Sequence, residues 1–261
     1  MISWGEATAR YLEWLEAWRR APGTIRLHRH YLRQLAELAP SPDAVTPRAL
    51  LRFVGQRRWS AETRKSARSV VVRFYEWAEL EGIVEENPTV RLPPVSVPPG
   101  VAKPAPERAL EVALRGAAPR VRLMLLLAAY AGMRCGEIAR VHREDLVDGF
   151  LYVVGKGEKQ RVVPIEHPEI LWGIRRADTW VFPNGRGHHL TPGHVTKLLS
   201  DALPDHWTGH KLRHRFATRS YANNPDLLAL GQVLGHARPE TTQRYVRVAD
   251  DALLAVIRGA R

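Results

Sequence analysis

Residues 91–107 read RLPPVSVPPGVAKPAPE, with six prolines between Pro93 and Pro106. Proline fixes φ and lacks an amide donor, so neither a helix nor a central strand runs through this stretch. It reads as an extended, semi-rigid linker. The chain of 261 residues is thereby divided into an N-terminal piece, 1–92, a linker, 93–106, and a C-terminal piece, 107–261. Both pieces have an ordinary domain size.

The piece before the linker reads as helical throughout. Ser3 followed by Glu6 has the spacing of a capping box, and Tyr11, Trp14, Leu15 and Trp18 follow at helical intervals. Arg19, Arg20, Pro22 and Gly23 end that helix, and Thr24 is placed to cap a second with Leu27, Tyr31, Leu32 and Leu35 on one face. Thr46 then Pro47 is an N-cap with Pro at the first helical position. Ser60 opens a fourth helix, with Val70, Val71, Phe74 and Trp77, closing at Gly82. Four such amphipathic helices make a small bundle.

Charge in this piece is uneven. Arg48, Arg52, Arg57, Arg58, Arg64, Lys65, Arg68 and Arg73 crowd one segment in which Glu62 is the only acid. The whole chain carries 39 Lys and Arg against 27 Asp and Glu, a net +12. A protein this basic is expected to meet a polyanion, with nucleic acid first and an anionic membrane second. The basic segment could track a phosphate backbone, which supplies affinity but little sequence information. The single cysteine, Cys135, excludes an internal disulfide and a cysteine-rich zinc module. The opening MISWGEATARYLEW lacks the features of a signal peptide, and no long uncharged run predicts a membrane span.

The C-terminal piece is mixed. Val121 to about Tyr130 reads as an apolar helix ended at Gly132. Phe150–Val154 and Arg161–Ile165 read as two strands joined by the polar turn Gly155–Gln160, and Trp180–Phe182 as a short edge strand. Helices then return, roughly over 192–203, 212–221, 227–234, 240–246 and 250–257. The expected domain is mostly helical with a small antiparallel sheet on one side.

No nucleotide-binding glycine loop and no HExxH are present; the pair His210 and His214 encloses Lys211, Leu212 and Arg213, a poor setting for a cation. What remains is a set of polar residues in apolar surroundings. Arg134 follows the apolar helix, and Arg213 lies between Leu212 and Phe216; a guanidinium in such a place needs a carboxylate or an anion. Glu137 is one available carboxylate. Lys156 sits in the hairpin turn, His236 follows Leu234-Gly235, and Tyr245 lies nine residues further on. Singly, each has a plain structural reading: ion pair, solvated turn, core histidine, packing tyrosine.

Together, GMRCGEI, VVGKGEKQRVVPI, HKLRHRFAT and VLGHARPETTQRY resemble, in this order, the boxes of the tyrosine recombinases, also called the phage integrase family. The resemblance is close over 121–246 and looser over the N-terminal bundle. It implies a mainly α fold: a four-helix, SAM-like core-binding domain, then an α-rich catalytic domain with a small antiparallel sheet. It implies catalytic roles for Arg134, Lys156, His210, Arg213, His236 and Tyr245, with Tyr245 the nucleophile, and supporting roles for Glu137 and His214. The basic residues from Arg48 to Arg73 would contact DNA.

The resemblance further implies site-specific cleavage and rejoining of duplex DNA through a 3′-phosphotyrosine and a Holliday junction, without metal, ATP or other cofactor. The event would be integration or excision of a mobile element, or resolution of DNA multimers. It implies four copies of the chain on two DNA sites and a monomer or weak oligomer otherwise. The segment after Tyr245, with Leu253, Leu254, Val256 and Ile257, has an apolar face that is either local core or, as the resemblance implies, a helix exchanged with a neighbouring copy; there is room for an accessory protein or paired recombinase. The setting is cytoplasmic, with no membrane. A type IB topoisomerase and a non-catalytic DNA-binding regulator on the same fold are the alternatives. The chain departs from the family's common pattern at Arg215, where serine or alanine is frequent, and at Asn223-Asn224-Pro225, where glycine is frequent; asparagine tolerates the left-handed conformation better than most residues, so that turn can still form with it.

Overall fold

A computed structural model describes residues 2–98, 103–155, 160–236 and 242. The chain forms two compact units, 1–99 and 100–261, whose division falls inside the proline-rich stretch.

The first unit holds α1 (Trp4–Ala17), α2 (Pro22–Leu35), α3 (Pro47–Val54) and α4 (Ala61–Leu80). Its starts follow local chemistry. The hydroxyls of Ser3, Thr46 and Ser60 each accept an amide hydrogen bond from three residues on, satisfying a donor that the first turn leaves open. α2 departs from the sequence expectation: its N-cap is Ala21, with Pro22 at the first position, and Thr24 lies inside the first turn. Proline at that position gives up only an amide that lacks a partner anyway, so Pro22 opens α2 and does not merely end α1.

The bundle core is aromatic. Tyr11, Phe74 and Tyr75 are fully buried, Trp4 stacks on Phe74, and Tyr11 meets Phe74 edge-on. Two hydroxyls carried inside find partners: Tyr75 donates to the Pro42 carbonyl at 3.0 Å, and the Tyr11 hydroxyl lies 3.0 Å from His28 Nδ1.

The second unit holds α5 (Glu107–Gly116), α6 (Pro119–Tyr130), α7 (Cys135–Ile138), β1 (Leu146–Val147), β2 (Phe150–Val154), β3 (Gln160–Pro164), α8 (Pro168–Arg175), α9 (Pro192–Ala202), α10 (Gly209–Asn223) and α11 (Leu227–Leu234). Every residue of α6 from Met124 to Ala129 is buried, which identifies it as the central helix; α5, α8, α9 and α10 pack around it. The sheet is antiparallel in the order β1-β2-β3, with Leu151 opposite Val163 and Val153 opposite Arg161. Leu151, Val153 and Val163 face the core, while Phe150, Tyr152, Val154 and Val162 face outward.

Two expectations are corrected here. The third strand is β1, while Trp180–Phe182 contributes only a single bridge from Trp180 to His142. The turn at Asn223-Asn224-Pro225 was expected to use a left-handed asparagine. Asn224 is instead extended, at φ −141° and ψ 100°, as the following proline demands. Asp226 then caps α11 by accepting from the amides of Leu228 and Ala229. Of the predicted helices over 240–246 and 250–257, all but Thr242, which is helical, lie outside the described residues.

The burial of His28 sets a pH dependence. Desolvation, then the charges of Arg73 and Arg20, lower its pKa from 6.5 to about 4. The unfolded chain therefore binds a proton between those values that the folded chain refuses. The stability held by neutral His28 is complete above about pH 6.5 and is lost as pH falls towards 4, amounting to about 3 kcal/mol. His28→Gln keeps a partner for Tyr11 and removes the titration. Its melting temperature should fall less than the wild type's between pH 7 and pH 4.5; equal falls would exclude His28 as the source.

Candidate active site

The second unit gathers its polar residues where three chain segments end. α6 stops at Gly132, whose φ of +61° suits glycine, and whose absent Cβ would stand 2.5 Å from Phe216 Cδ1. The chain then turns into α7 with Arg134 as its N-cap residue. Glu137, three residues on, accepts from the Arg134 backbone amide and from Arg134 Nη1, both at 2.8 Å. Arg161 reaches the same carboxylate from β3, with Nη1 2.8 Å from Oε1 and Nη2 2.9 Å from Oε2. Arg213, from α10, places Nη1 3.7 Å from Oε2.

Arg213 is 1% exposed and also braces the two neighbouring helix ends. It donates to the Gly132 carbonyl and to the Leu234 carbonyl, each at 2.5 Å. Its Nη2 lies 3.3 Å from His236 Nε2. His236 follows Gly235, which closes α11 in the left-handed conformation at φ +62°. A Cβ on Gly235 would stand 2.9 Å from Arg161 Cδ, so glycine is required there twice over. The other ring nitrogen of His236 is 2.8 Å from Thr242 Oγ1. One turn before Arg213, His210 Nε2 lies 2.8 Å from His214 Nε2; His210 is exposed and His214 buried.

The charge balance of this cluster is uneven. Arg134, Arg161 and Arg213 bring three positive charges against the one carboxylate of Glu137, which leaves +2. Burial pushes the Glu137 carboxyl up, but the hydrogen bonds and charge of Arg161, with the bonds from Arg134, outweigh it and hold the pKa at about 2. Glu137 is therefore ionised at any working pH. A fixed excess of guanidinium charge, part of it on the Arg134 side chain at 39% exposure, suits an anion with several oxygens.

The structure thus brings Arg134, Glu137, Arg213 and His236 together, with His210 and His214 on the helix that carries Arg213. Lys156 and Tyr245 lie outside the described residues. Among the described residues no three His, Cys, Asp or Glu side chains group as they would around a metal ion, and no helix is long and apolar enough to cross a membrane.

Two arginines join the site region that the sequence reading left out. Arg161 occupies an inward position of β3, in step with Val163 and Ile165. A charged residue at an inward strand position was the available signal, since it requires a partner. Arg215 is buried and forks onto Glu107, with Nε 3.0 Å from Oε2 and Nη2 2.7 Å from Oε1. It also donates to the Ala129 carbonyl at 3.2 Å, tying the start of α5 to α10 and the end of α6.

In the first unit, Arg48, Arg52, Arg57, Arg58, Lys65 and Arg73 are exposed, and Arg64 and Arg68 are half-buried. Arg68 is engaged with the chain itself. Its Nε donates to the Pro93 carbonyl at 2.7 Å and its Nη2 to the Leu92 carbonyl at 2.8 Å, anchoring the start of the proline-rich stretch to α4. The charge of Arg73 is felt at the buried Tyr11 and His28, where it favours the deprotonated form of each.

Removing the carboxylate should unbalance the cluster. Glu137→Ala leaves Arg161 and Arg213 buried without their counter-charge, and such a loss costs about 3–5 kcal/mol. Because the folded pKa lies below the ordinary carboxylate value of 4.5, this contribution is complete above that pH and fades as pH falls towards 2. Urea denaturation should show the gap between wild type and Glu137→Ala at pH 7 and a smaller gap at pH 3. A loss under 1 kcal/mol at pH 7 would contradict this account.

Residues 107–252, more than half of the chain, match the model of the phage integrase family. Tyrosine recombinase XerA of Thermococcus onnurineus is 31% identical over 266 residues, covering 95% of this chain and 93% of that protein. Tyrosine recombinase XerC of Rhodospirillum centenum is 32% identical over 297 residues, covering 96% and 85%. Among solved structures, the lambda integrase (75–356) dimer bound to a COC′ core site superposes with a TM-score of 0.77 at 18% identity, covering 95% of this chain and all of that one. XerH site-specific recombinase bound to difH substrate gives 0.68 at 20% identity, covering 89% and 78%. At those identities the likeness is one of fold: mostly helical, with the small three-stranded antiparallel sheet. By sequence and by fold, this chain belongs to the phage integrase family.

Proposed function

We propose that the chain is a site-specific DNA recombinase that cleaves and rejoins duplex DNA through a covalent link to Tyr245. The observation that carries this reading is the convergence of Arg134 and Arg213 on one carboxylate, with His236 against Arg213. A phosphodiester repels nucleophiles, and its transition state gathers more charge on the non-bridging oxygens. Two guanidinium forks answer that charge, and each should contribute about 10²–10³-fold in rate. Glu137 holds the forks and His214 supports His210. The first unit, with Arg48 to Arg73, grips the phosphate backbone, and the second carries the chemistry.

The Tyr245 oxygen attacks phosphorus in line, forming the phosphotyrosine bond as the bond to the 5′ oxygen breaks. The tyrosine proton passes to His210. Lys156 gives a proton to the departing 5′ oxygen, and His236 donates to a non-bridging oxygen. The link conserves the phosphodiester energy, so a 5′-hydroxyl from a partner strand can reverse the step without ATP, and no step is routed through a metal. Two such exchanges through a Holliday junction complete recombination. Four protomers on two sites would perform it, the segment after Tyr245 docking on a neighbour. A lambda integrase tetramer bound to a Holliday junction shares this fold, with a TM-score of 0.73 at 18% identity. The DNA site decides whether the product is integration, excision or resolution of multimers.

The test uses a duplex enriched by repeated retention on the Tyr245→Phe chain, then nicked beside the candidate cleavage point. Wild type should form a covalent protein–DNA band in the presence of EDTA, and Tyr245→Phe none. A band that survives Tyr245→Phe rejects the nucleophile, and one that requires a divalent ion rejects the metal-free route. Strands joined between two duplexes are expected; relaxation of supercoils alone would favour a topoisomerase. Binding by Tyr245→Phe should weaken 10-fold or more between about 50 and 200 mM salt.

A further inference from the structure

Arg161 lies in the interior of the second unit, its side chain 7% exposed, and takes no part in the chemistry proposed above. It is nevertheless the best-bonded partner of Glu137. It engages both carboxylate oxygens, while Arg134 spends one side-chain nitrogen there and Arg213 stays at 3.7 Å, beyond hydrogen-bond reach. Its Nε is fixed by the Val233 carbonyl at 2.7 Å, and Gly235 leaves room for its stem. The guanidinium is therefore locked in the fork geometry that suits a carboxylate.

A buried carboxylate facing only Arg134 and Arg213 would draw both onto itself, since an unpaired charge is costly in the interior. That would leave +1 from two arginines already paired to a carboxylate, and a phosphate would have to compete with Glu137 for them. A third guanidinium on both oxygens changes the balance. We propose that Arg161 is a positioning residue that satisfies Glu137, so that the carboxylate sets the direction of Arg134 and faces Arg213 without neutralising either. The same contacts join β3, which leads from the hairpin turn, to the end of α11, which precedes His236. The inference rests on the strand-transfer reading and extends it to a residue outside the reacting set.

The experiment is a double-variant cycle on the enriched, nicked duplex, measuring single-turnover formation of the covalent band. Arg161→Gln should slow it about 10-fold or more, while affinity for the uncleaved duplex, measured in the Tyr245→Phe background, changes less than about 3-fold. Glu137→Gln removes the charge that Arg161 offsets. Adding Arg161→Gln to Glu137→Gln should then cost 3-fold or less, whereas a purely architectural tie to Val233 would cost as much as before. Arg161→Lys keeps the charge without the fork and should recover part of the rate; it also serves if Arg161→Gln folds poorly. A wild-type rate in Arg161→Gln, or an undiminished loss in the Glu137→Gln background, overturns the role of Arg161 alone. Absence of any band from wild type would overturn the strand-transfer reading, and this inference with it.

Discussion

The second unit is organised around a carboxylate shared among guanidiniums. Glu137, on α7, is contacted by Arg134 three residues before it and, from elements far apart in the chain, by Arg161 of β3 and Arg213 of α10. Each arrives from a different direction because helix ends and a strand edge meet there, with the buried α6 as their common support. Without the carboxylate, the two buried charges of Arg161 and Arg213 would repel each other, and the more open Arg134 beside them, without compensation. With it, the cluster holds together and keeps its excess charge. The same feature thus explains how the fold tolerates the site and why the site suits an anion.

Much of this was legible from residues alone, for identifiable reasons. Helix starts at Ser3, Thr46 and Ser60 could be read because a hydroxyl three residues before an open amide is a local device that needs no tertiary partner. β2 and β3 were readable because β-branched residues flank a polar turn. Gly132 and Gly235 mark helix ends where only a residue without Cβ fits.

What escaped was non-local. Pro22 carries the same letter whether it stops one helix or starts the next, and only the packing of α2 decides. β1 is two residues long and exists through its pairing with β2. Arg161 looked like one more charge after a turn, because its partner lies 24 residues earlier in another element. Arg68 looked like part of a basic surface, yet two of its nitrogens hold the carbonyls of Leu92 and Pro93. In each instance the residue type was visible and the partner was not.

Arg213 serves two masters. Its guanidinium clamps the carbonyl ends of α6 and α11 and also faces Glu137 and His236. A replacement at this position therefore disturbs the tie between two helix ends and the charge balance of the cluster together. Arg134, more open to solvent, answers to fewer constraints. On the strand-transfer reading proposed above, a chain that lost the activity while keeping its shape would shed Arg134 early and retain Arg213, leaving a buried arginine as its trace.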